Sequence, residues 1–231
     1  MKEKIIVALD TSDIEEAIGT IKKLRGHIDA FKIGQALTLA NGLSAIARLQ
    51  DEGAKRIFLD LKFHDIPNSV ALGVKTAAQY GVWMLTIHTS GLQAMMEAAA
   101  NAAQSSNHPP LVVGVTVLTS INEEALRNEL GVERQLKTQV IELAKLAQES
   151  GLDGVVASPH EASSIRQVVG DQFVIVTPGI RSAGGTTHDQ QRIATAHEAI
   201  ANGASYLVVG RAITEADDPI AALNNLVGDG Q

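Results

Sequence analysis

The chain has 231 residues, of which 45% are hydrophobic and 19% charged, so it can bury a large core and disorder is not expected. Its net charge of −7 and its 3% of aromatic residues argue against a nucleic acid or an anionic membrane surface as partner. The absence of cysteine excludes disulfides, thiolate nucleophiles and cysteine-held metals. The apolar run Ile5–Leu9 is too short for a signal peptide or a membrane span, so we expect a cytoplasmic protein.

Short apolar runs alternate with helical patterns along the whole chain. The runs are rich in Val, Ile and Leu and mostly continuous, which is typical of parallel strands covered by helices. They are Ile5–Leu9, Ala30–Ile33, Arg56–Leu61, Trp83–His88, Leu111–Val117, Gly154–Ala157, Phe173–Val176 and Tyr206–Val209. Eight such βα units predict an α/β fold, a single-domain (β/α)8 barrel (TIM barrel) over residues 1–231. An open doubly wound sheet is the alternative, but no G-x-G-x-x-G follows the first run.

Helix boundaries are marked by residues that cap helices. Three pairs fit capping boxes, and Pro159 and the pair Asp218-Pro219 suit helix starts. The three pairs are Ser12 with Glu15, Ser90 with Gln93, and Ser158 with Glu161. The glycines placed to end helices are Gly26, Gly53, Gly81, Gly151 and Gly203. The segment Arg134–Ser150 has an apolar stripe and predicts an outer helix packed on the barrel.

The stretch from Phe58 to Asn68 combines an apolar strand with three charges, at Asp60, Lys62 and Asp65. Residues two apart in a strand share a face, so Asp60 and Lys62 are expected to project together. Burying such a pair costs several kcal/mol per ion before the attraction compensates. A structural salt bridge is one interpretation of the pair. A functional site is the other, and the rest of the chain favours it.

Polar residues lie at the ends of nearly all predicted strands, where barrel enzymes build their sites. They are Asp10, Lys32, Asp60, Lys62, His88, Thr119, Ser120, Thr177–Arg181, Gly210 and Arg211. Charges at so many strand ends would converge on one mouth of the barrel, and packing alone does not explain them. The sequence therefore predicts a functional pocket at this mouth.

The loops after the seventh and eighth predicted strands have the composition of a phosphate site. The first, residues 177–189, contains glycines and Arg181, with Gln190 at its far edge, and the second contains Gly210 and Arg211. Glycines let backbone N–H groups approach an anion, and a guanidinium group binds phosphate oxygens through two hydrogen bonds. Barrels often bind phosphate with these two loops, so we expect a phosphate-bearing ligand and a lid formed by the longer loop.

The seven histidines show no spacing typical of a metal site. A metal held by Asp10 and Asp60 stays open as an alternative, although Lys32 and Lys62 would compete for those carboxylates and repel a cation. His88 is expected to be a hydrogen-bonded residue at the barrel rim. We therefore predict that no metal is bound.

Taken together, the motifs resemble the orotidine 5′-phosphate decarboxylase family over essentially the whole chain. The central motif is Asp60-Leu-Lys-Phe-His-Asp65-Ile-Pro-Asn, and the others lie at residues 7–10, 31–34, 115–120, 177–181, 189–190 and 209–211. The shorter D-x-K-x-x-D core also occurs in related barrels that handle sugar phosphates, so the flanking residues make the motif specific. The resemblance implies cofactor-free decarboxylation of orotidine 5′-phosphate to uridine 5′-phosphate in pyrimidine biosynthesis.

The resemblance also implies roles for individual residues. Lys62 would protonate the ring carbanion, and Asp60 would lie beside the substrate carboxylate in an alternating array completed by Lys32 and Asp65. Asp65 would act in the neighbouring subunit's site, which implies a homodimer. The implied substrate-binding residues are Asp10 at the ribose, Lys32, Ser69 (where many bacterial members have Thr), Thr119 and Ser120 beside the pyrimidine, and Arg181, Gln190, Gly210 and Arg211 at the phosphate and lid.

Two other functions stay open at this point. A metal-dependent sugar-phosphate lyase or aldolase would use Asp10 and Asp60 as metal ligands on the same barrel. A non-catalytic barrel that senses a nucleotide would bind its ligand without turnover, but such a sensor has no need for so costly an array of charges.

Overall fold

The computed structural model describes residues 1–180 and 194–228, and within them eight strands form a closed parallel barrel. The strands are β1 Ile5–Leu9, β2 Ala30–Gly34, β3 Arg56–Phe63, β4 Met84–His88, β5 Leu111–Val115, β6 Gly154–Val156, β7 Val174–Thr177 and β8 Tyr206–Val209. They follow one another around the barrel in chain order, and β8 pairs with β1 to close it. The predicted barrel is confirmed, and the alternative of an open sheet is wrong.

Helices connect the strands and cover the outside of the barrel. They are α1 Ile14–Leu24, α2 Gln35–Asn41, α3 Ala45–Asp51, α4 Pro67–Gln79, α5 Leu92–Gln104, α6 Glu123–Asn128, α7 Leu136–Glu149, α8 Ala162–Val169, α9 Ala196–Ala201, α10 Arg211–Thr214 and α11 Pro219–Gly228. The outer helix predicted from the apolar stripe is α7, which buries that stripe as expected. Among the described residues, no helix is both long enough and apolar enough to cross a membrane.

Successive side chains of each strand point to opposite faces of the sheet, and this divides the core into two layers. Val7 and Leu9 of β1 belong to the outer layer, which packs against the helices. Ala8 and Phe58 belong to the smaller inner layer, which fills the barrel. Because the period of a strand is two residues, the inward row that contains Ala8 leads to Asp10 at the C-terminal end.

The N-terminal end of the barrel interior is closed by an aromatic cluster. The ring of Trp83 meets Tyr206 edge to face, with 5.1 Å between ring centroids. The guanidinium carbon of Arg56 lies 4.7 Å from the centroid of the Trp83 ring, a cation–π contact. Ligands therefore reach the interior from the opposite, C-terminal mouth.

Two helix starts differ from the sequence-based expectation. The N-cap of α1 is Asp13 rather than Ser12, because the carboxylate of Asp13 accepts the N–H of Glu15 at 2.8 Å. Ser90 does not cap α5, whose first residue is Leu92. Ser12 and Asp13 both have capping side chains, and Asp13 takes the position, whereas α5 starts after Gly91 without a side-chain cap.

Other boundaries agree wholly or in part with the prediction. Glu161 accepts the N–H of Ser158 at 2.9 Å, which is half of the predicted capping box, but α8 begins at Ala162 and not at Pro159. Asp218 caps α11 as predicted, accepting two backbone N–H groups of its first turn. The predicted helix-ending glycines all have positive φ: Gly26, Gly53, Gly81, Gly151 and Gly203.

Candidate active site

The C-terminal mouth of the barrel contains a cavity of about 240 Å³. Its charged wall consists of Asp10, Lys32, Asp60, Lys62 and Arg211. The rest of the wall is mainly apolar and consists of Ala8, Phe58, Val115, Val117, Leu118, Val156, Pro178 and Val208, with Thr119, Gly179 and Gly210. Of the polar strand ends singled out in the sequence, the structure brings Asp10, Lys32, Asp60, Lys62, Thr119, Gly210 and Arg211 to this one cavity.

Lys32 points into the cavity because strand register places it in the inner layer. It pairs with Ala8 of β1 on one side and with Phe58 of β3 on the other. Its Nζ donates to Asp10 Oδ1 at 2.9 Å and lies 3.6 Å from Asp60 Oδ2. Lys32 therefore bridges a carboxylate that follows β1 and a carboxylate within β3.

Asp60 and Lys62 make the contact that strand alternation predicts, but the backbone between them is not a regular strand. Lys62 Nζ donates to Asp60 Oδ1 at 2.9 Å. The register of β3 against β4 shifts between Leu59 and Phe63, and Lys62 has a φ of +52°. A non-glycine residue in this left-handed region carries about 1–2 kcal/mol of strain, which the surrounding contacts must outweigh.

Thr86 of β4 holds this irregular segment, and sequence reasoning did not find it. Its Oγ1 accepts the backbone N–H of Lys62 at 2.8 Å and donates to Asp60 Oδ1 at 2.9 Å. The side chain is fully buried. The signal that could have revealed it is a hydroxyl within the apolar run of β4, because a buried hydroxyl needs a hydrogen-bond partner.

The carboxylate of Asp60 is the electrostatic centre of the site. Burial raises the pKa of Asp60, but the ammonium groups of Lys32 and Lys62 and the hydrogen bonds from Lys62 and Thr86 together outweigh burial, so the pKa lies below the ordinary aspartate value. The carboxylate is therefore ionised at neutral pH. The four charges alternate in the order Asp10, Lys32, Asp60, Lys62, and below we call them the charge array.

Two histidines flank the array beside Lys62. His64 is exposed, His88 ends β4, and their ring centroids are 5.2 Å apart. The predicted position of His88 at the barrel rim agrees with this, but the predicted hydrogen bond of its side chain is not among the contacts of the described residues. Burial, His64 and Lys62 lower the pKa of His88, and Asp60 opposes them. The imidazole of His88 is therefore neutral at pH 7 and adds no second cation next to Lys62.

Three predicted site residues are not part of the cavity wall in the single chain. Asp65 is exposed on the loop after β3, where its Oδ1 accepts the N–H of Ile66 at 2.7 Å. Ser69 is partly buried in the first turn of α4. Ser120 is exposed next to Thr119, which does line the cavity.

The predicted phosphate end is only partly described. Gly210 and Arg211 line the cavity directly after β8, as expected. Gly179, in the loop after β7, also lines it and has a φ of +81°. Arg181, Gln190 and the predicted lid lie outside the described residues.

The carboxylates considered as metal ligands, Asp10 and Asp60, both contact the ammonium group of Lys32. Within residues 1–180 and 194–228, no three His, Cys, Asp or Glu side chains are grouped so that they could hold a metal ion. Two lysines beside these carboxylates offset the negative charge that attracts a divalent cation. The arrangement suits an organic anion placed between ammonium groups and an apolar wall.

Comparison with known proteins agrees with this geometry. Residues 3–226 match the model of the Orotidine 5′-phosphate decarboxylase / HUMPS family. The chain belongs to this family. The orotidine 5′-phosphate decarboxylase of Moorella thermoacetica is 47% identical over 99% of this chain and 92% of its own length, and that of Neisseria meningitidis serogroup B is 48% identical over 96% and 90%. Among solved structures, the orotidine 5′-phosphate decarboxylase from Lactobacillus acidophilus is 37% identical, with a TM-score of 0.85 over 98% of each chain.

Membership of the orotidine 5′-phosphate decarboxylase / HUMPS family confirms the resemblance that the motifs indicated. The matched region begins before β1 and ends within α11, so it includes every strand of the barrel and all four members of the charge array.

Proposed function

We propose that the chain decarboxylates orotidine 5′-phosphate to uridine 5′-phosphate in pyrimidine biosynthesis, in the cytoplasm and without a cofactor. The observation that carries the proposal is the Lys62–Asp60 ion pair at the wall of a cavity that is charged on one part and apolar on another. The relatives of the chain at 47% and 48% identity are named orotidine 5′-phosphate decarboxylases. A fixed ammonium group at such a wall can stabilise a carbanion and then protonate it.

The proposed reaction breaks the bond between the pyrimidine ring carbon and its carboxylate. Carbon dioxide leaves, and the electron pair of the broken bond stays on the ring carbon, which has no adjacent electron sink. The ammonium group of Lys62 transfers a proton to that carbon, and the resulting neutral amine recovers a proton from solvent. One proton is taken up and one carbon dioxide is released in each turnover.

Asp60 holds the ammonium group of Lys62 in place. Its Oδ1 accepts from Lys62 Nζ at 2.9 Å, and the lowered pKa keeps the carboxylate ionised. Lys32, held between Asp60 and Asp10, balances the charge on the other side of the carboxylate. As the ring carbon becomes negative, the ammonium group of Lys62 is already oriented, so little reorganisation is needed in the transition state.

The phosphate group of the substrate would bind at the other end of the cavity. Arg211 supplies a guanidinium group, and the backbones of Gly210 and Gly179 allow close approach of an anion. This contact would not involve the reacting carbon. Its binding energy can nevertheless appear in the rate, because it can be used to orient the substrate at Lys62.

The remaining predicted contacts would orient the nucleoside. Asp10 at the rim would accept hydrogen bonds from ribose hydroxyls, and Thr119 and Ser120 would contact the pyrimidine. Ser69 would offer a hydroxyl from the start of α4. Arg181 and Gln190 keep the phosphate role that the sequence suggests.

We also propose a homodimer in which Asp65 completes the site of the partner subunit. Asp65 precedes Ile66 in the chain, and four large apolar side chains on three consecutive βα units are 58–85% exposed: Leu39, Ile66, Leu72 and Leu92. Leu92 also has a left-handed φ of +67°. We propose that these side chains together form the dimer interface, since a contiguous exposed apolar patch is typical of an interaction site. A two-fold axis through this surface would place each Asp65 near the opposite mouth.

The decisive assay follows the ultraviolet absorbance of orotidine 5′-phosphate after addition of the purified protein in excess chelator. We expect the spectrum to change to that of uridine 5′-phosphate. A flat trace, with ligand binding still measurable, would contradict the proposal and favour a nucleotide sensor. Activity that appears only when magnesium is restored, and only on sugar phosphates, would favour the metal-dependent lyase.

A further inference from the structure

We infer that Thr86 is a positioning residue for this site: its hydroxyl fixes the backbone of Lys62 and the carboxylate of Asp60 relative to each other. The inference rests on the proposed decarboxylation for its effect on rate. The contacts that support it lie within the chain, because both hydrogen bonds join Thr86 of β4 to residues of β3.

The first argument comes from the strand register. Regular pairing of β3 with β4 ends at Leu59 opposite Leu85 and resumes at Phe63 opposite Ile87. Three residues of β3, Asp60 to Lys62, therefore lie opposite the single residue Thr86. Bulged residues lose backbone partners in the ladder. The side chain of Thr86 replaces one of them by accepting the N–H of Lys62 at 2.8 Å.

The second argument comes from the direction of the hydrogen bonds. The backbone N–H of Lys62 can only donate, so the hydroxyl oxygen of Thr86 accepts from it, and the hydroxyl hydrogen donates to the ionised Asp60 at 2.9 Å. The same Asp60 oxygen accepts from Lys62 Nζ. Backbone, hydroxyl, carboxylate and ammonium thus form a closed ring that starts and ends at Lys62.

A purely structural role for Thr86 makes a different prediction. If the hydroxyl only satisfied a buried N–H, its loss would lower stability and leave the chemistry of the site unchanged. If the hydroxyl positions the charge array, its loss must lower the rate at which bound substrate is converted. Its loss must also change the pKa of Asp60. The charged or titratable groups that face Asp60 are Lys32 from β2, Lys62 from β3 and His88 from β4, and a Thr86 variant retains all three residues.

The test compares Thr86→Val, which keeps the size of the side chain and removes both hydrogen bonds, with Thr86→Ser, which keeps the hydroxyl. For Thr86→Val we expect kcat to fall about 10- to 100-fold with KM nearly unchanged, the range for hydrogen bonds to a charged group. Thr86→Ser should stay within about threefold of the wild type. The matched control is Thr89→Val, which removes another buried hydroxyl. The hydroxyl of Thr89 donates to the carbonyl of Val115 at 2.9 Å, so its loss should lower the free energy of unfolding without changing kcat.

A second readout needs no substrate. In carboxyl-carbon NMR titrations, with Asp60 assigned from Asp60→Asn, Thr86→Val should raise the pKa of Asp60 above its wild-type value, because the carboxylate loses a donor. An unchanged titration or an unchanged kcat in a folded Thr86→Val protein would overturn the inference. If that variant does not fold, a kcat loss above about tenfold in Thr86→Ser would overturn it, since this exceeds the loss of a neutral contact. If the wild type decarboxylates nothing, the proposed function fails, and the Asp60 titration still tests Thr86.

Discussion

Replacing Lys62 with alanine tests the proposed chemistry and the local backbone strain at one position. Without the ammonium group there is neither a proton donor nor a fixed cation at the ring carbon. We expect kcat to fall at least about 100-fold, the lower end of the contribution of general acid catalysis. The fold should persist, because the backbone N–H of residue 62 still donates to Thr86 and Asp60 still contacts Lys32.

The matched variant Lys62→Gly separates strain from chemistry. Alanine and glycine both remove the ammonium group, so the loss of the ion pair cancels in their comparison. The φ of +52° costs alanine about 1–2 kcal/mol that glycine avoids. Glycine in turn loses about 0.5–1 kcal/mol more conformational entropy on folding. Lys62→Gly should therefore be more stable than Lys62→Ala by about 0.75 kcal/mol, the middle of a range of about 0–1.5 kcal/mol.

Two measurements check this prediction. Single-turnover decarboxylation of orotidine 5′-phosphate gives the chemical rate, and urea unfolding gives the free energy of unfolding of each variant. More than a tenth of the wild-type rate in Lys62→Ala would refute Lys62 as the proton donor. A Lys62→Ala protein at least as stable as Lys62→Gly would refute the argument from backbone strain, whatever the rates.

Three further predictions concern phosphate, acid and the partner subunit. Arg211→Ala should weaken binding of orotidine 5′-phosphate by about 2–5 kcal/mol, as for a truncated charge pair, and leave binding of the phosphate-free nucleoside unchanged. Equal losses of affinity for both ligands, measured by calorimetry, would contradict a phosphate contact. Because folding lowers the pKa of Asp60, its charge contributes stability that is complete above about pH 4 and is lost as the pH falls below it. Asp60→Asn should therefore flatten this part of an acid-unfolding curve followed by circular dichroism, and an unchanged curve would argue against the ionic contacts. Mixing Lys62→Ala with Asp65→Ala subunits should restore about a quarter of wild-type activity on random re-pairing, since each mixed dimer has one intact site; no recovery would argue against a shared site.

The barrel could be predicted because each strand has its own signal in the sequence. A continuous apolar run between helical patterns marks a strand in a sheet covered by helices, and β1 and β8 have the predicted bounds. The inward direction of Lys32 also follows from strand geometry, since Ala8 and Phe58 lie beside it in register. Local patterns are sufficient where the structure is regular.

The bulge in β3 could not be predicted from the same patterns. Alternation assumes that one residue lies opposite one residue, whereas Asp60 to Lys62 lie opposite Thr86 alone. The partner that stabilises this arrangement is 24 residues away in the chain. The role proposed for Asp65 requires a second copy of the chain and is equally absent from any local pattern.

The outer members of the charge array, Asp10 and Lys62, are more exposed than the inner members, Lys32 and Asp60, and this agrees with the different roles that we propose for them. The side chain of Asp10 is 62% exposed, those of Lys32 and Asp60 are 12% and 14% exposed, and that of Lys62 is 33% exposed. The two inner members lie between opposite charges on both sides, and removal of one partner from such a buried pair costs about 3–5 kcal/mol. The two outer members have one side toward the array and one toward the cavity mouth. A substrate can therefore engage Asp10 and Lys62 while Lys32 and Asp60 keep the distance between them constant, which is what a reaction that depends on one fixed ammonium group requires.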